Sequence, residues 1–293
     1  MILVAGATGL LGSTVTRELL AAGHPVRVLV RPASGYGTLA DAGAEVVIGD
    51  LKDPPSLTTA CQGIATVITT ANSAARPGET VEAVDVEGNR NLIDAAREAG
   101  VDHFIFVSAL GASEANPVPF MRAKALTEAY LMDSGIAWTI VRPNIFMDVW
   151  VNTLVGLPLR AGEPITLVGE ARRRHSMVAV RDVAAFIVAS VGNEAARNRL
   201  IRVGGPEAIS WRDVVAAAER TLGRSLEVRT IQPGEPLPGV PETVSQLAAA
   251  FDGYDSPVPM EETAAEFGVR LTSIHEFADE NFSRDGAVHG TAQ

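Results

Sequence analysis

Thiols are almost absent from this 293-residue chain: Cys61 is its one cysteine. No intrachain disulfide can form, and the chain fits a reducing compartment. Positive charge is also short, with 24 Lys and Arg against 35 Asp and Glu and a net charge of -11. That balance argues against a general nucleic-acid binder or a protein of anionic membrane surfaces. No apolar run reaches the roughly 18 residues of a transmembrane helix. The first strand-like run begins at Ile2, so no signal peptide is expected, and a soluble cytoplasmic protein is the natural reading. No Cys/His cluster or acidic loop has metal-ligand spacing, so no metal is expected. Gly-x-Ser-x-Gly is missing, which removes one hydrolase signal. Aromatic residues make up 5%, including three tyrosines, Tyr36, Tyr130 and Tyr254. There is no internal repeat.

Apolar residues are plentiful, at 47%, enough for a full core. The run Met1-Ile2-Leu3-Val4-Ala5 leads straight into Gly6-Ala7-Thr8-Gly9-Leu10-Leu11-Gly12, and a helical pattern continues from about Leu10 to Ala22. Strand, glycine turn and helix in that order form the arrangement that cradles a pyrophosphate. Gly6 permits the tight turn, Gly9 lets backbone approach phosphate, and Gly12 lets the helix pack closely on the strand. The first helical turn offers unpaired N–H groups and the positive end of the helix dipole. Residues 6–12 are therefore expected to hold a dinucleotide.

Short runs rich in Val, Ile and Phe predict strands at 2–5, 26–30, 45–48, 64–70, 103–108 and 137–141. Helical patterns lie between and after them, near 10–22, 54–61, 79–99, 118–134 and 144–155. Asp53-Pro54 reads as an N-cap followed by proline at the first helical position. This alternation implies a doubly wound parallel sheet of Rossmann type, with its ligand at the carboxyl ends of the strands. After about Asn144 the regularity loosens. Strands are expected at 165–168, 177–180, 200–203 and 228–231, and helices at 182–191, 210–222, 240–251, 261–267 and 272–282. The expected organisation is an α/β dinucleotide-binding domain over 1–145, joined again by 175–205. A smaller α+β substrate lobe covers most of 146–283, and a frayed tail covers 284–293.

The spacing Gly-x-x-Gly-x-x-Gly resembles that of extended and atypical short-chain dehydrogenase/reductases. Further segments strengthen the resemblance. Gly49-Asp50-Leu51 looks like the family's adenine-contacting turn, and Val86 to Leu92 with Ala95 to Val101 looks like its fourth long helix. Val107-Ser108-Ala109 resembles the end of strand five, and Trp138 to Pro143 the sixth strand and following turn. His175 to Ala184 resembles the segment that re-enters the sheet. Together these cover about residues 1–190, and the subgroup they resemble most is the NmrA-like one, which includes sensors, quinone reductases and triphenylmethane-dye reductases. The resemblance implies that Ala71 and Asn72, Ser108 and Ala109, Leu110 and Gly111, and Pro143 and Asn144 flank the nicotinamide. Ile145, Phe146, Met147 and Trp150, which follow strand six, are candidate pocket wall, with core packing as the plainer alternative.

Strand two bears on the cofactor. A carboxylate at its end would hydrogen-bond the ribose 2′-OH of NAD. Here the strand ends Leu29-Val30-Arg31-Pro32-Ala33-Ser34, without an acid. Arg31 can pair with a 2′-phosphate and Ser34 can donate to it, so NADP is favoured and NAD remains possible. The plainer alternatives are a solvated arginine for Arg31 and a turn cap for Asp50.

Ketone-reducing members of the family use Tyr-x-x-x-Lys on the helix after strand five. None of the three tyrosines here has lysine four residues later. The matching place reads Phe120-Met121-Arg122-Ala123-Lys124, which keeps the lysine but puts a phenylalanine where the proton donor belongs. Hydride addition to a simple ketone makes an alkoxide that needs a proton or an oxyanion site. Quinones and conjugated acceptors delocalise the added charge, so positioning supplies most of the catalysis, and a flat Phe120 suits a flat acceptor. Lys124 is expected to hold the nicotinamide ribose, or to act as acid or base if burial lowers its pKa. The alternatives are an exposed ion pair with Glu128 for Lys124 and plain core packing for Phe120. The basic run Arg172-Arg173-Arg174-His175 reads as a solvated loop.

The expected function is therefore an NADPH-favouring reductase of a small conjugated acceptor such as a quinone, a monomer or homodimer. Two other readings stand beside it: a non-catalytic NADP(H) sensor with a protein partner, and a specialised biosynthetic reductase or isomerase.

Overall fold

The computed structural model describes residues 1–74 and 78–282. The tail expected at 284–293 lies outside the described residues. The strands are β1 (Ile2–Ala5), β2 (Val26–Val30), β3 (Glu45–Ile48), β4 (Thr66–Thr69), β5 (His103–Val107), β6 (Ala137–Pro143), β7 (Ile165–Val168), β8 (Arg199–Val203) and β9 (Val228–Ile231). Seven of them form one sheet in the order β3-β2-β1-β4-β5-β6-β8, and every pairing in it is parallel. This is the doubly wound order, reversing direction at β1, where a ligand crevice opens at the strands' carboxyl ends.

The chain divides into two compact units. Among the described residues, the first comprises 1–143, 180–203 and 267–269, and the second 144–179, 204–266 and 270–282. The first unit thus pauses at Pro143 and resumes at Val180. In the first unit, Leu3 and Ala5 of β1 join a core with Leu57, Leu92, Phe104, Phe106 and Leu131. Ile2 and Val4, which point to the other face by strand alternation, are equally buried. The strand is covered on both sides, which is why it reads as an unbroken apolar run. The second unit has its own core around Trp211, Phe251, Phe277 and Phe282, and β7 pairs with β9. Ser210 caps the helix Trp211–Leu222 in a reciprocal box with Asp213.

Three local expectations are corrected. The helix predicted over 79–99 is split into a π-helical segment, Val81–Gly88, and an α-helix, Asn89–Glu98. Two side chains take carbonyls from the ladder: Asn89 Nδ2 donates to Val84 O (3.0 Å) and Asp85 O (3.3 Å), and Thr127 Oγ1 donates to Asp85 O (2.7 Å). Such competition widens a helix locally. The strand predicted at 177–180 makes only one bridge, Phe146 with Val178. Its backbone groups go to different neighbours, Met177 N to His175 O and Val178 N to Ile145 O, and Val180 already opens the helix Val180–Ser190. The helix predicted over 144–155 starts only at Met147, because Asn144 Oδ1 caps the Ile145 N–H instead.

One buried histidine couples the sheet to pH. His103 opens β5 and is 2% exposed. Thr139 Oγ1 gives its proton to the Ala196 carbonyl (2.6 Å), so it accepts from His103 Nε2 (2.8 Å). His103 Nδ1 is buried with no hydrogen-bond partner among the described residues. Burial, and then Arg197, hold its pKa down at about 4 against a usual 6.5. The unfolded chain therefore binds the proton first as pH falls. Stability should drop between about pH 6.5 and 4, by about 3 kcal/mol from this residue. Urea melts across that range should show the slope, and His103→Gln should flatten it; an unchanged slope would contradict this assignment.

Candidate functional site

The first helix, α1 (Leu10–Ala21), starts where the chain has had to fold back tightly on β1. Gly6 has φ +80, a backbone state costly for residues with a side chain. The Gly9 N–H closes the turn on Gly6 O at 3.0 Å. A Cβ at Gly12 would lie 2.2 Å from Gly6 O and 2.7 Å from Thr70 Oγ1. Thr70, just after β4, itself donates to Gly6 O at 3.2 Å and braces the turn. Gly9 is the N-cap and has no side chain to occupy the first-turn N–H groups. The backbone amides are left facing outward at a dipole's positive end, as a pyrophosphate requires.

Beside this turn lies a cleft of about 500 Å³, counting its part open to solvent. Gly6, Thr8, Arg31, Ser34, Asp50, Leu51 and Ala71 line it, together with Glu79 and Val84. Seven of the residues expected at the cofactor are thus brought to one place. Asp50 also caps its own turn, accepting from Lys52 N at 2.9 Å. Arg31 is not solvated alone: Arg31 Nη1 donates to Glu79 Oε1 at 2.7 Å, and Lys52 Nζ donates to Glu79 Oε2 at 2.8 Å.

Lys124 is not on the surface. It is 2% exposed on the helix Pro119–Met132. Its Nζ donates to the Val107 carbonyl at 3.1 Å and lies 3.7 Å from Asp85 Oδ1, an ion pair rather than a hydrogen bond. Asp85 is completely buried, and its Oδ2 accepts from Ser73 N (3.0 Å) and Ser73 Oγ (2.6 Å). Burial pushes the Lys124 pKa below the ordinary lysine range, while Asp85 opposes that shift. The expected partner Glu128 is instead bound at both carboxylate oxygens by Arg142. The i,i+4 spacing put Lys124 and Glu128 on one face, but that face turns inward, where each finds a partner on another element. Phe120 is half-buried, and its ring centre lies 5.2 Å from Lys124 Nζ. The Ser108 hydroxyl, next to the Val107 carbonyl, is buried without a hydrogen-bond partner among the described residues.

This geometry fits a nicotinamide dinucleotide in its glycine turn and its cleft, and comparisons with known proteins agree. A family model described as NAD(P)H-binding matches residues 6–194. The chain belongs to that NAD(P)H-binding family. It is 32% identical over 257 residues to the NAD(P)H azoreductase of Xenophilus azovorans, covering 88% of this chain and 82% of that protein. It is also 32% identical over 230 residues to the photosystem II assembly factor Ycf39 of Cyanophora paradoxa, covering 78% and 71%. The crystal structure of an Escherichia coli NADPH-dependent quinone oxidoreductase in complex with NADPH superposes with a TM-score of 0.80 at 23% identity, over 95% of this chain and 98% of that one. The dinucleotide-binding assignment drawn from the motifs stands, and the relatives include an NAD(P)H oxidoreductase.

Within this NAD(P)H-binding protein the remaining expected residues are placed less uniformly. Ala7 and Gly12 are buried, Leu11 is half-buried, and Leu10 is exposed. Asn72 spends its side chain on its own turn, accepting from Ala74 N and donating to Thr70 O. Ala109 and Leu110 are half-buried, and Leu110 N donates to Pro143 O. Asn144 Nδ2 donates to Ser256 O at 2.7 Å inside the second unit. Ile145 and Met147 pack in that unit's core; apolar spacing alone does not separate core from pocket wall. Phe146 and Trp150 are half-buried, and Trp150 sits edge-on to Phe251. Asp85, Ser73, Glu79 and Lys52 were not anticipated. An acid inside the apolar stretch Val84-Asp85-Val86 was the one available signal.

The buried pair can be tested by stability. Asp85→Asn leaves the Lys124 charge without its counter-ion and should cost about 3–5 kcal/mol. Lys124→Met in the same chain should recover much of it. Denaturant melts of the two single variants and the double decide this; a loss under about 1 kcal/mol for Asp85→Asn would mark the pair as no stronger than an exposed one.

Proposed function

We propose that this chain is an NADPH-favouring reductase that passes a hydride to a small, flat, conjugated acceptor such as a quinone or an azo compound. The observation that carries this reading is Phe120. It stands one helical turn before the buried Lys124, where ketone-reducing relatives have the proton-donating tyrosine. A phenyl ring has no proton to give, so an acceptor whose added charge spreads over a conjugated system is the one such a site can serve. The azoreductase and quinone oxidoreductase named above are consistent with that class.

The bound nicotinamide ring supplies the hydride. The chain's own residues bind and orient. The amides at Gly6 to Gly12 hold the pyrophosphate, and Asp50 and Leu51 border the adenine end. Arg31 and Lys52 bring positive charge to the adenosine ribose and support NADPH over NADH. Lys124 is held by the Val107 carbonyl and by Asp85. In this reading it anchors the nicotinamide ribose beside Ser108, whose buried hydroxyl lacks a partner among the described residues. Its lowered pKa also fits it to release or take a proton near the reacting atoms.

A second reading has its own observation. Lys124 is almost fully covered and does not line the cleft, as suits a non-catalytic NADP(H)-responsive protein. The assembly-factor relative is compatible with it.

Absorbance assays of NADPH consumption with quinones, azo dyes and simple ketones separate the two. The reductase reading expects turnover with the first two classes and little with ketones, and a large loss in Lys124→Ala. Ketone turnover matching that of quinones would contradict the argument from Phe120. NADPH binding without consumption across the panel would favour the sensor.

A further inference from the structure

Two cations from different loops meet on one carboxylate beside the cleft. Arg31 follows β2, Lys52 comes shortly after β3, and Glu79 lies in the segment after β4. Each Glu79 oxygen takes one cation, Arg31 at 2.7 Å and Lys52 at 2.8 Å. The Glu79 side chain is only 10% exposed, against 39% for Arg31 and 43% for Lys52. The carboxylate is thus the inner member, and the cations close over it. Arg31 and Glu79 both line the cleft, along with Ser34. Two like charges converge here only because an anion lies between them.

We propose that Glu79 determines cofactor specificity: it occupies, as an internal counter-anion, the position from which Arg31 and Lys52 would bind a ribose 2′-phosphate. The inference rests on the reading that this cleft receives the adenosine half of NAD(P)H. A 2′-phosphate must share both cations with a carboxylate already in contact with them, and like charge at that distance weakens its hold. A 2′-hydroxyl has the opposite experience, because it can donate to a carboxylate. Glu79 therefore works against NADPH and for NADH. The two cations outweigh the single anion, so NADPH keeps an advantage, and Glu79 sets how small it is. The end of β2 holds no acid; the acid that matters arrives from beyond β4.

Equilibrium binding decides this without any turnover. Kd values for NADPH and NADH would be measured by calorimetry on the full chain, wild type and Glu79→Gln, with thermal melts to confirm folding. Glu79→Gln should tighten NADPH by roughly tenfold and leave NADH unchanged or weaker. Arg31→Ala, run alongside, should weaken NADPH far more than NADH. Weaker NADPH binding in Glu79→Gln, or equal shifts for both cofactors, would overturn the proposal and make Glu79 a scaffold that merely orders the cations. Failure of wild type to bind either cofactor would instead overturn the reading of the cleft, and this inference with it.

Discussion

The closeness of two backbone segments governs the first unit. The Gly6 carbonyl and the Gly12 Cα approach so tightly that a methyl at Gly12 would lie 2.2 Å from the oxygen. No side chain fits there, and that contact holds the start of α1 against the end of β1. The helix amides then face the crevice where the strand order reverses, and every ligand-facing residue is arranged around that point. Thr70 reaches across from beyond β4 to the same carbonyl, tying the turn to the neighbouring strand. An apolar strand, a glycine turn and an uncapped helix thus form one unit, whose open end is an anion site by construction.

A second constraint lies one layer deeper. A lysine excluded from water is tolerated only if paired. Asp85 provides the pair, Ser73 holds Asp85, and Thr127 and Asn89 hold the backbone that carries it. The π-helical stretch Val81–Gly88 is the local consequence. Its carbonyls serve side chains on two helices, so the ordinary ladder gives way. The same network connects the loop after β4, which borders the cleft, with the helix that bears Phe120 and Lys124.

Much of this was legible in the residues because its signals are local. The six apolar runs from Ile2 to Val141, the glycine spacing and the cap at Ser210 each depend on neighbours within one or two turns of chain. The strand expected at 200–203 was legible too, as a short apolar run, and it joins the sheet beside β6. What stayed hidden involves partners distant in sequence. Spacing correctly put Lys124 and Glu128 on one helix face but could not say that the face turns inward. Glu79 was invisible as a partner of Arg31, because nothing near strand two announces an acid supplied from beyond β4. Ile145 and Met147 show a different ambiguity, since an apolar residue after a strand reads the same whether it lines a pocket or fills a core, and both pack in the second unit's core.

The central claim is that the turn from Gly6 to Gly12 holds the cofactor's pyrophosphate. Gly9→Ala tests it most directly. Gly9 has an ordinary extended backbone, with φ -81 and ψ 167, and a Cβ there would meet only Gly6 O, at 3.3 Å. The substitution should leave the unliganded chain folded. The 3.3 Å contact is tight, so Gly6 O must yield slightly and the melting temperature should fall a little. A methyl group would also stand where phosphate must approach backbone, so NADPH affinity measured by calorimetry on the folded variant should fall roughly tenfold or more. A stable Gly9→Ala protein that binds NADPH as tightly as wild type would contradict the account.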